Sequence, residues 1–440
     1  MAKPIQVDAP FKGLHDLLSA EEDARACRDI SDDACREQPR NYGVHLVALS
    51  LTKIGDGLVD AKLILSWLLD ALGAPLAAIA ALVPVRESLS LVPQLAVAGW
   101  MRAYALRKWF WVGGSVAQGA SLLAMALVAW SFDGAVAGWT IVALLAVFAL
   151  ARGVCSVAYK DVLGKTIAKQ RRGTLNGYTA SAAGIAVVAL GLALQLEAGT
   201  DIDVFASILV LAAALWITGA GVFALLEEYP GATEGGANAL REAIGSVRMI
   251  FHDRQLALFL ASRALLVSTA LMAPFFAVIA RQIGATDLSD LGLLVIASGL
   301  AASASAAIWG RWSDRSSRKV MAAAGGIAAS AGIAAAALGS AFARGGAWLA
   351  YALGALYFLL AIAHTGVRLG RKTHLVDMAG SDRRASYVAV SNTLIGIVLL
   401  LGASVGLLAD TLGAAAVVAI FSLLAALGAA MSLALDEVQR

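Results

Sequence analysis

Apolar runs recur along this chain, and each is about as long as a helix that crosses a lipid bilayer. A hydrocarbon core of about 30 Å takes roughly 20 helical residues to cross. The runs cover residues 44–69, 74–98, 109–131, 138–160, 176–196, 204–226, 255–281, 288–310, 319–341, 346–367, 388–410 and 412–435. Hydrophobic residues make up 60% of the chain, which excludes an ordinary soluble domain. Backbone groups in lipid must bond within their own segment, and the runs are far longer than membrane-barrel strands. The sequence therefore predicts an all-α membrane protein with twelve transmembrane helices.

Basic residues concentrate in alternate loops of this predicted topology. One set of loops holds twenty Lys and Arg residues, and the other set holds only Arg281 and Arg344. Short loops rich in Lys and Arg remain in the cytoplasm. We therefore predict a multi-pass protein of the plasma (inner) membrane with both termini in the cytoplasm. Residues 1–43 mix acidic and basic side chains without the apolar core of a signal peptide, and we expect a retained cytosolic tail there.

An internal repeat relates the two halves of the chain at an offset of about 210 to 212 residues. The loop "GWMRAYALRKW" at 99–109 matches "GRWSDRSSRKV" at 310–320. The identical positions are Gly99 with Gly310, Arg107 with Arg318 and Lys108 with Lys319. At similar offsets Lys53 falls on Arg263, and Arg152 falls on His364. An even number of helices per half implies a parallel repeat about an axis along the membrane normal.

The repeat divides the chain into segments. We expect two six-helix bundles, at 44–226 and 255–435, joined by a cytosolic linker that contains an interfacial helix. The linker covers 227–254, and the cytosolic C-terminus covers 436–440.

The second loop resembles the loop between the second and third helices of each half in the major facilitator superfamily, written G-x-x-x-D-R-x-G-R-K. The matching residues are Asp314, Arg315, Arg318 and Lys319. Arg152 in "FALARGVCS" resembles an arginine found in the fourth helix of many proton-coupled members. The resemblance implies two pseudo-symmetric six-helix bundles, with a substrate path lined by helices one, four, seven and ten. It also implies a gating role for both loops, although Ala103 replaces the acid in the first. We expect that first loop to be weaker or held by other groups.

Ionisable residues inside a membrane-spanning helix cost several kcal/mol, so each one in this chain calls for an explanation. At about 100° per residue, Lys53, Asp56, Asp60 and Trp67 fall on one face of the first predicted helix, and Lys62 points the opposite way. The candidates for proton coupling are Glu87, Asp56, Asp60, Arg86 and Arg152. A proton-coupled carrier needs a carboxylate whose proton affinity responds to burial and to nearby cations, and Glu87 fits this role best. The alternative is a static buried ion network.

Four basic or potentially basic residues lie at similar depths on the helices expected to line the path. They are Lys53, Arg152, Arg263 and His364. Such a collar would attract anions. The alternative is that Lys53 and Arg263 pair with neighbouring helices or extend to the membrane interface. We take Lys53, Trp67, Arg263 and His364 as candidates for the substrate path.

These features together predict a class of function. The chain lacks a Walker pattern, which disfavours transport driven by ATP. We expect proton-coupled secondary transport of a small organic solute, with export preferred over import. The alternatives are an uptake carrier for a small organic anion and a non-transporting membrane scaffold or sensor. We expect a monomer in the bilayer that binds a small-molecule substrate and protons, with no enzymatic activity, cofactor, metal or nucleic acid.

Overall fold

The computed structural model describes residues 32–439 except 93, 102, 197–201, 232, 234–252, 285–286, 342–347 and 380–383. Regular structure in these residues is helical. The first half contains α1 (Asp32–Arg36), α2 (Gln38–Leu58), α3 (Ile64–Ala71), α4 (Leu76–Leu91), α5 (Gln94–Met101), α6 (Lys108–Ser131), α7 (Gly134–Thr166), α8 (Lys169–Leu194) and α9 (Ile202–Ala224). The second half contains α10 (Arg254–Leu266), α11 (Ser268–Leu271), α12 (Ala273–Gln282), α13 (Leu288–Ser313), α14 (Ser317–Ala341), α15 (Trp348–Met378), α16 (Arg384–Leu407), α17 (Ala409–Leu412) and α18 (Ala414–Leu433). The predicted interfacial helix and most of the predicted tail lie outside the described residues.

The all-α membrane architecture is confirmed. Among the described residues, eight helical segments are long and apolar enough to cross a membrane. They are α6, α7, α8 from Arg171, α9, the run α10–α12, α14, α15 and α18. Shorter apolar stretches lie within α13 and α16, at Leu288–Ala302 and Val390–Gly402. The predicted number of twelve spans is not confirmed, because the first two predicted spans are divided and carry charged residues.

The first predicted helix, 44–69, differs most from the prediction. Helix α2 begins earlier, at Gln38, and ends at Leu58, and α3 resumes at Ile64. The side chain of Asp60 accepts a hydrogen bond from the backbone N–H of Lys62 at 3.0 Å. A carboxylate that bonds its own backbone two residues on favours a turn over a helix. Residues 59–63 are therefore a non-helical break, and face assignments made for a continuous helix fail beyond Leu58.

The second predicted helix, 74–98, is also divided, into α4 and α5. Pro93 lies between the two helices in the sequence, and proline disfavours helical backbone at the residue before it. Pro84, in contrast, lies inside α4 without ending it.

The apolar core shows how the halves are arranged. We call the end of the helices that carries residues 99–109 and 310–320 the basic end, and the opposite end the far end. One large buried cluster at the far end includes residues of both halves, such as Leu68 and Phe276. At the basic end each half has its own cluster, around Phe223 in the first half and Phe259 in the second. Among the described residues, the buried cluster shared by both halves is thus the one at the far end.

Contacts between the halves follow the same pattern. Helix α8 packs against α13, and α4 packs against α16. Near the far end, a Cβ added to Gly292 would lie 2.6 Å from the carbonyl oxygen of Gly191, so the backbones of α8 and α13 touch. Asp70 of α3 forms an ion pair with Arg281 of α12 across the same end. The molecule is therefore closed between its halves at the far end.

Candidate functional site

A polar cavity of about 580 Å³ lies between the halves. From the first half it is lined by α2, the 59–63 break, α4, α7 and α8, and from the second half by α13 and α15. A smaller cavity of about 130 Å³ adjoins it. Both cavities are lined by Asp60, Lys62, Ser298, Ala302 and Arg368. The two cavities are therefore neighbours that share walls from both halves.

Asp56 is the centre of a partly buried ion network on one wall. Its Oδ1 accepts a hydrogen bond from Arg86 Nη2 at 2.6 Å and another from Arg152 Nη1. Arg86 also donates to the carbonyl oxygen of Val59 at 2.9 Å and lies 3.8 Å from Asp60 Oδ1. The network joins α2, α4, α7 and the non-helical break. Four of the five residues predicted for coupling or for an ion network are thus brought together.

Glu87, the fifth of these residues, stays outside the network. Its carboxylate is exposed on the cavity wall and has no hydrogen bond or ion pair within the described part of the chain. It interacts electrostatically with Lys62, Arg152 and Arg371. Glu87 is therefore a carboxylate that faces the cavity among cations without being bound by any of them.

The predicted basic collar is not assembled around the main cavity. Lys53 lines that cavity, but its Nζ donates to Thr179 Oγ1 on α8 at 2.6 Å. Arg263 is buried and donates to Ser391 Oγ and, at 3.2 Å, to Asn392 Oδ1 on α16. These contacts match the alternative prediction of helix pairing.

The two remaining collar residues also have protein partners. His364 lines the smaller cavity, where its Nδ1 lies 3.1 Å from Thr269 Oγ1. Arg152 is bound to Asp56. The collar therefore does not form a ring of free cations.

The break at 59–63 reverses two face assignments. Trp67, predicted for the substrate path, is fully buried in the shared core, and Arg281 lies over its ring at 5.4 Å. Lys62, predicted to point away, lines both cavities. Both differences arise because the regular turn of about 100° per residue does not continue through the break.

The loop residues Arg107 and Lys108 are held by an acid that the sequence analysis did not single out. Glu228 follows α9, and its side chain is fully buried. Its carboxylate accepts hydrogen bonds from the backbone N–H groups of Arg107 at 2.8 Å and Lys108 at 2.7 Å. It also forms an ion pair with Lys165 Nζ at 3.1 Å. A carboxylate at the N-terminus of a helix such as α6 is electrostatically favourable. Lys108 Nζ in turn donates to the carbonyl oxygens of Ala224 and Leu226, at the C-terminus of α9. Arg107 also pairs with Asp161.

The second half has a related arrangement, in which the acid binds side chains of the loop instead of its backbone. Arg318 Nη1 donates to the carbonyl oxygens of Leu433 and Leu435, and its Nε bonds Glu437 at 3.1 Å. Ser316 Oγ donates to Glu437 at 2.6 Å. Partial burial raises the pKa of Glu437, but the hydrogen bonds from Ser316 and Arg318 outweigh it and lower the pKa below its usual value. Glu437 lies 209 positions after Glu228, an offset that could have revealed the pair in the sequence.

The other loop residues predicted for gating make fewer contacts. Asp314, Arg315 and Lys319 are exposed, and their side chains form no hydrogen bond or ion pair with the residues that the structure covers. Gly99 lies in α5 and Gly310 in α13. In this conformation Arg318, rather than Asp314, connects the second loop to its neighbouring helix.

Comparisons with known proteins reveal similarity in structure only. No protein-family model matches the sequence, and no curated protein is similar to it. Among solved structures, a POT family transporter in complex with a thioalcohol-conjugated peptide matches with a TM-score of 0.71 at 11% identity, over 93% of this chain and 99% of that one. The nucleoside transporter NupG matches with a TM-score of 0.67 at 14% identity, over 90% and 99%. The xylose transporter XylE from E. coli, in an inward-open conformation, matches with a TM-score of 0.63 at 10% identity, over 90% and 96%.

These similarities extend over nearly the whole of each chain. Similarity at such low identity reports on the fold, and that fold agrees with the repeat and with the loop motif. The chain has the fold of the major facilitator superfamily transporters.

Proposed function

We propose that this protein is a secondary transporter that moves a small organic solute across a membrane by alternating access, coupled to protons. The observation that carries the proposal is the charged cavity between two halves whose shared buried cluster lies at the far end. A cavity of this volume is typical of small-molecule sites. The distribution of Lys and Arg supports a place in the plasma (inner) membrane with both termini cytoplasmic.

Alternating access requires that the far-end contacts separate while the basic end closes. The Asp70–Arg281 ion pair and the touching backbones of Gly191 and Gly292 would have to part in that step. The substrate would shift the equilibrium between the two states by binding one of them more tightly.

Glu87 is the residue to which we assign proton coupling. Asp56 is bound by two guanidinium groups and holds α2, α4 and α7 together, so its charge is committed to the fold. Glu87 has no such partner and lies on the cavity wall, where its surroundings change when the halves move. A carboxylate whose neighbours differ between two states binds a proton with different affinity in each.

A transport assay with the purified protein in vesicles tests the proposal. A pH-sensitive dye inside the vesicles reports proton movement on addition of sugars, nucleosides, dipeptides and small carboxylates. We expect at least one solute to drive proton movement. Glu87→Gln should abolish that movement but retain exchange of labelled solute, because exchange needs no net proton transfer. Asp410→Asn removes an exposed carboxylate on α17 and should change neither activity.

Two results would contradict the proposal. Proton movement that persists in Glu87→Gln would rule out this residue as the coupling site. The absence of both proton movement and exchange for every solute would favour the non-transporting scaffold instead.

A further inference from the structure

Two cations in the cavity have no partner among the residues that the structure describes. Five basic side chains line the main cavity: Lys53, Lys62, Arg86, Arg152 and Arg368. Three of them are bound, to Thr179 or to Asp56. The side chains of Lys62 and Arg368 form no hydrogen bond or ion pair anywhere in the described ranges. They are the cavity cations that remain available to a ligand.

Lys62 and Arg368 come from opposite halves. Lys62 belongs to the non-helical break between α2 and α3, and Arg368 to α15. Both line the main cavity and the smaller one, so they lie where the two spaces meet. They interact electrostatically with each other and with His364. Two like charges that line the same cavity repel each other, and an anion between them would offset the repulsion.

The acids nearby do not cancel this positive charge. Asp56 is bound to Arg86 and Arg152, and Asp60 accepts the backbone N–H of Lys62. Glu87 interacts electrostatically with Lys62 but forms no ion pair with it. With these three acids and five bases, the lining carries a formal surplus of two positive charges. Protonation of Glu87 would increase the surplus.

The remaining walls suit the organic part of a ligand. Ile64, Val83, Val295 and Ala302 contribute apolar surface, and Ser298 contributes a hydroxyl. Ligand sites commonly combine such apolar walls with a few polar groups that fix orientation.

We propose that the substrate is a small organic anion whose carboxylate or phosphate group binds between Lys62 and Arg368. This inference rests on the proposed transport function and adds the chemical class of the substrate. It also explains how binding could favour closure of the two halves. An anion held by one cation from each half neutralises their repulsion and allows the halves to close over it. Charge-assisted hydrogen bonds from guanidinium and ammonium groups suit both carboxylate and phosphate.

Thermal unfolding of the purified full-length protein in detergent tests the site with matched probes. The probes are benzoate, propionate, succinate and phenyl phosphate, each compared with its neutral counterpart benzamide, propionamide, succinamide or phenol at constant ionic strength. Inorganic phosphate is the probe for a bare anion. We expect at least one organic anion to raise Tm and its neutral counterpart to have no such effect.

Variants then show whether the two cations are responsible. In Lys62→Met and Arg368→Met, the dissociation constant for that anion should rise about tenfold or more. Lys62→Arg and Arg368→Lys keep the charge and should retain most of the Tm shift. Lys372→Met removes an exposed cation one turn further along α15 and should leave the shift unchanged. Since Lys62 lies in a segment that shapes the fold, Arg368→Met is the deciding variant if Lys62→Met fails to fold.

Several outcomes would overturn the inference. They are equal stabilisation by neutral counterparts, no stabilisation by any organic anion, a shift with inorganic phosphate only, or a shift that survives Arg368→Met. Binding is measured here without a membrane, so the two proposals can fail separately. An anion that binds but is not moved into vesicles contradicts transport and supports the site. A neutral solute transported equally well by Arg368→Met supports transport and contradicts the site.

Discussion

The two halves of the molecule share some polar contacts and differ in others. Lys53 of α2 binds Thr179 of α8, and at the equivalent place Arg263 of α10 binds Ser391 of α16. The network around Asp56 is not repeated at the matching positions of the second half. At offsets of 210 to 212, Leu266 stands opposite Asp56, Ala297 opposite Arg86 and His364 opposite Arg152.

This difference separates two kinds of buried charge. A contact that recurs in both halves belongs to the bundle that was duplicated. The pairing of α2 with α8, and of α10 with α16, is a contact of this kind. A charge found in one half only makes contacts that were not part of the duplicated bundle. Asp56, Arg86, Glu87, Arg152 and Lys62 all belong to this second kind, and all of them line the cavity.

The largest loss of stability should come from disrupting the ion network around Asp56. Asp56→Asn leaves two guanidinium groups without their carboxylate. Removal of one partner costs about 3–5 kcal/mol in a fully buried ion pair. The cost is lower here, because the side chains of Asp56 and Arg152 are 22% and 37% exposed. We expect the free energy of unfolding in detergent to fall by about 3 kcal/mol, the lower end of that range. Asp60→Asn is the control, because Asp60 lies 3.8 Å from Arg86 and should matter less. Equal losses in the two variants would show that Asp56 is not the centre of the network.

An intermediate loss of stability should come from removing the loop contacts of Glu228 and Glu437. Glu228 is fully buried and binds two backbone N–H groups and Lys165, whereas the side chain of Glu437 is 28% exposed. Glu228→Gln should lower the free energy of unfolding by about 1–3 kcal/mol, the cost of impairing buried charge-assisted bonds. Glu437→Gln should lower it less, since water can replace part of its contacts. Thermal unfolding monitored by tryptophan fluorescence would measure both, and a larger loss in Glu437→Gln would reverse the ranking.

The smallest effect should come from the duplicated helix pairs. Lys53→Met and Arg263→Met each remove hydrogen bonds to a neighbouring helix, at a net cost of about 0.5–1.5 kcal/mol. We expect similar losses of stability in the two variants and only small changes in solute exchange by the vesicle assay. If either variant lost solute exchange but kept its stability, that residue would have a role in the substrate path.

The sequence allowed the membrane fold and most of the ion network to be predicted, and the reason is physical. An ionisable residue in an apolar run has few explanations, so Asp56, Arg86 and Arg152 stood out before their contacts were known. Lys62 and Trp67 were assigned to the wrong faces, because a helical wheel assumes unbroken backbone and the helix is interrupted at residues 59–63. Glu228 and Glu437 were missed because they follow the apolar runs, in segments whose composition resembles that of ordinary loops.

The carbonyl oxygen of Val59 has a consequence for how this site tolerates change. It is free to accept a hydrogen bond from Arg86 because the helix ends at Leu58 and leaves that carbonyl without a helical donor. The main chain therefore supplies one of the groups that position the arginine. Substitutions at residue 59 that keep its size and the break would leave this bond in place. A scan of side-chain replacements would then report position 59 as permissive, although its peptide group holds the arginine beside the cavity.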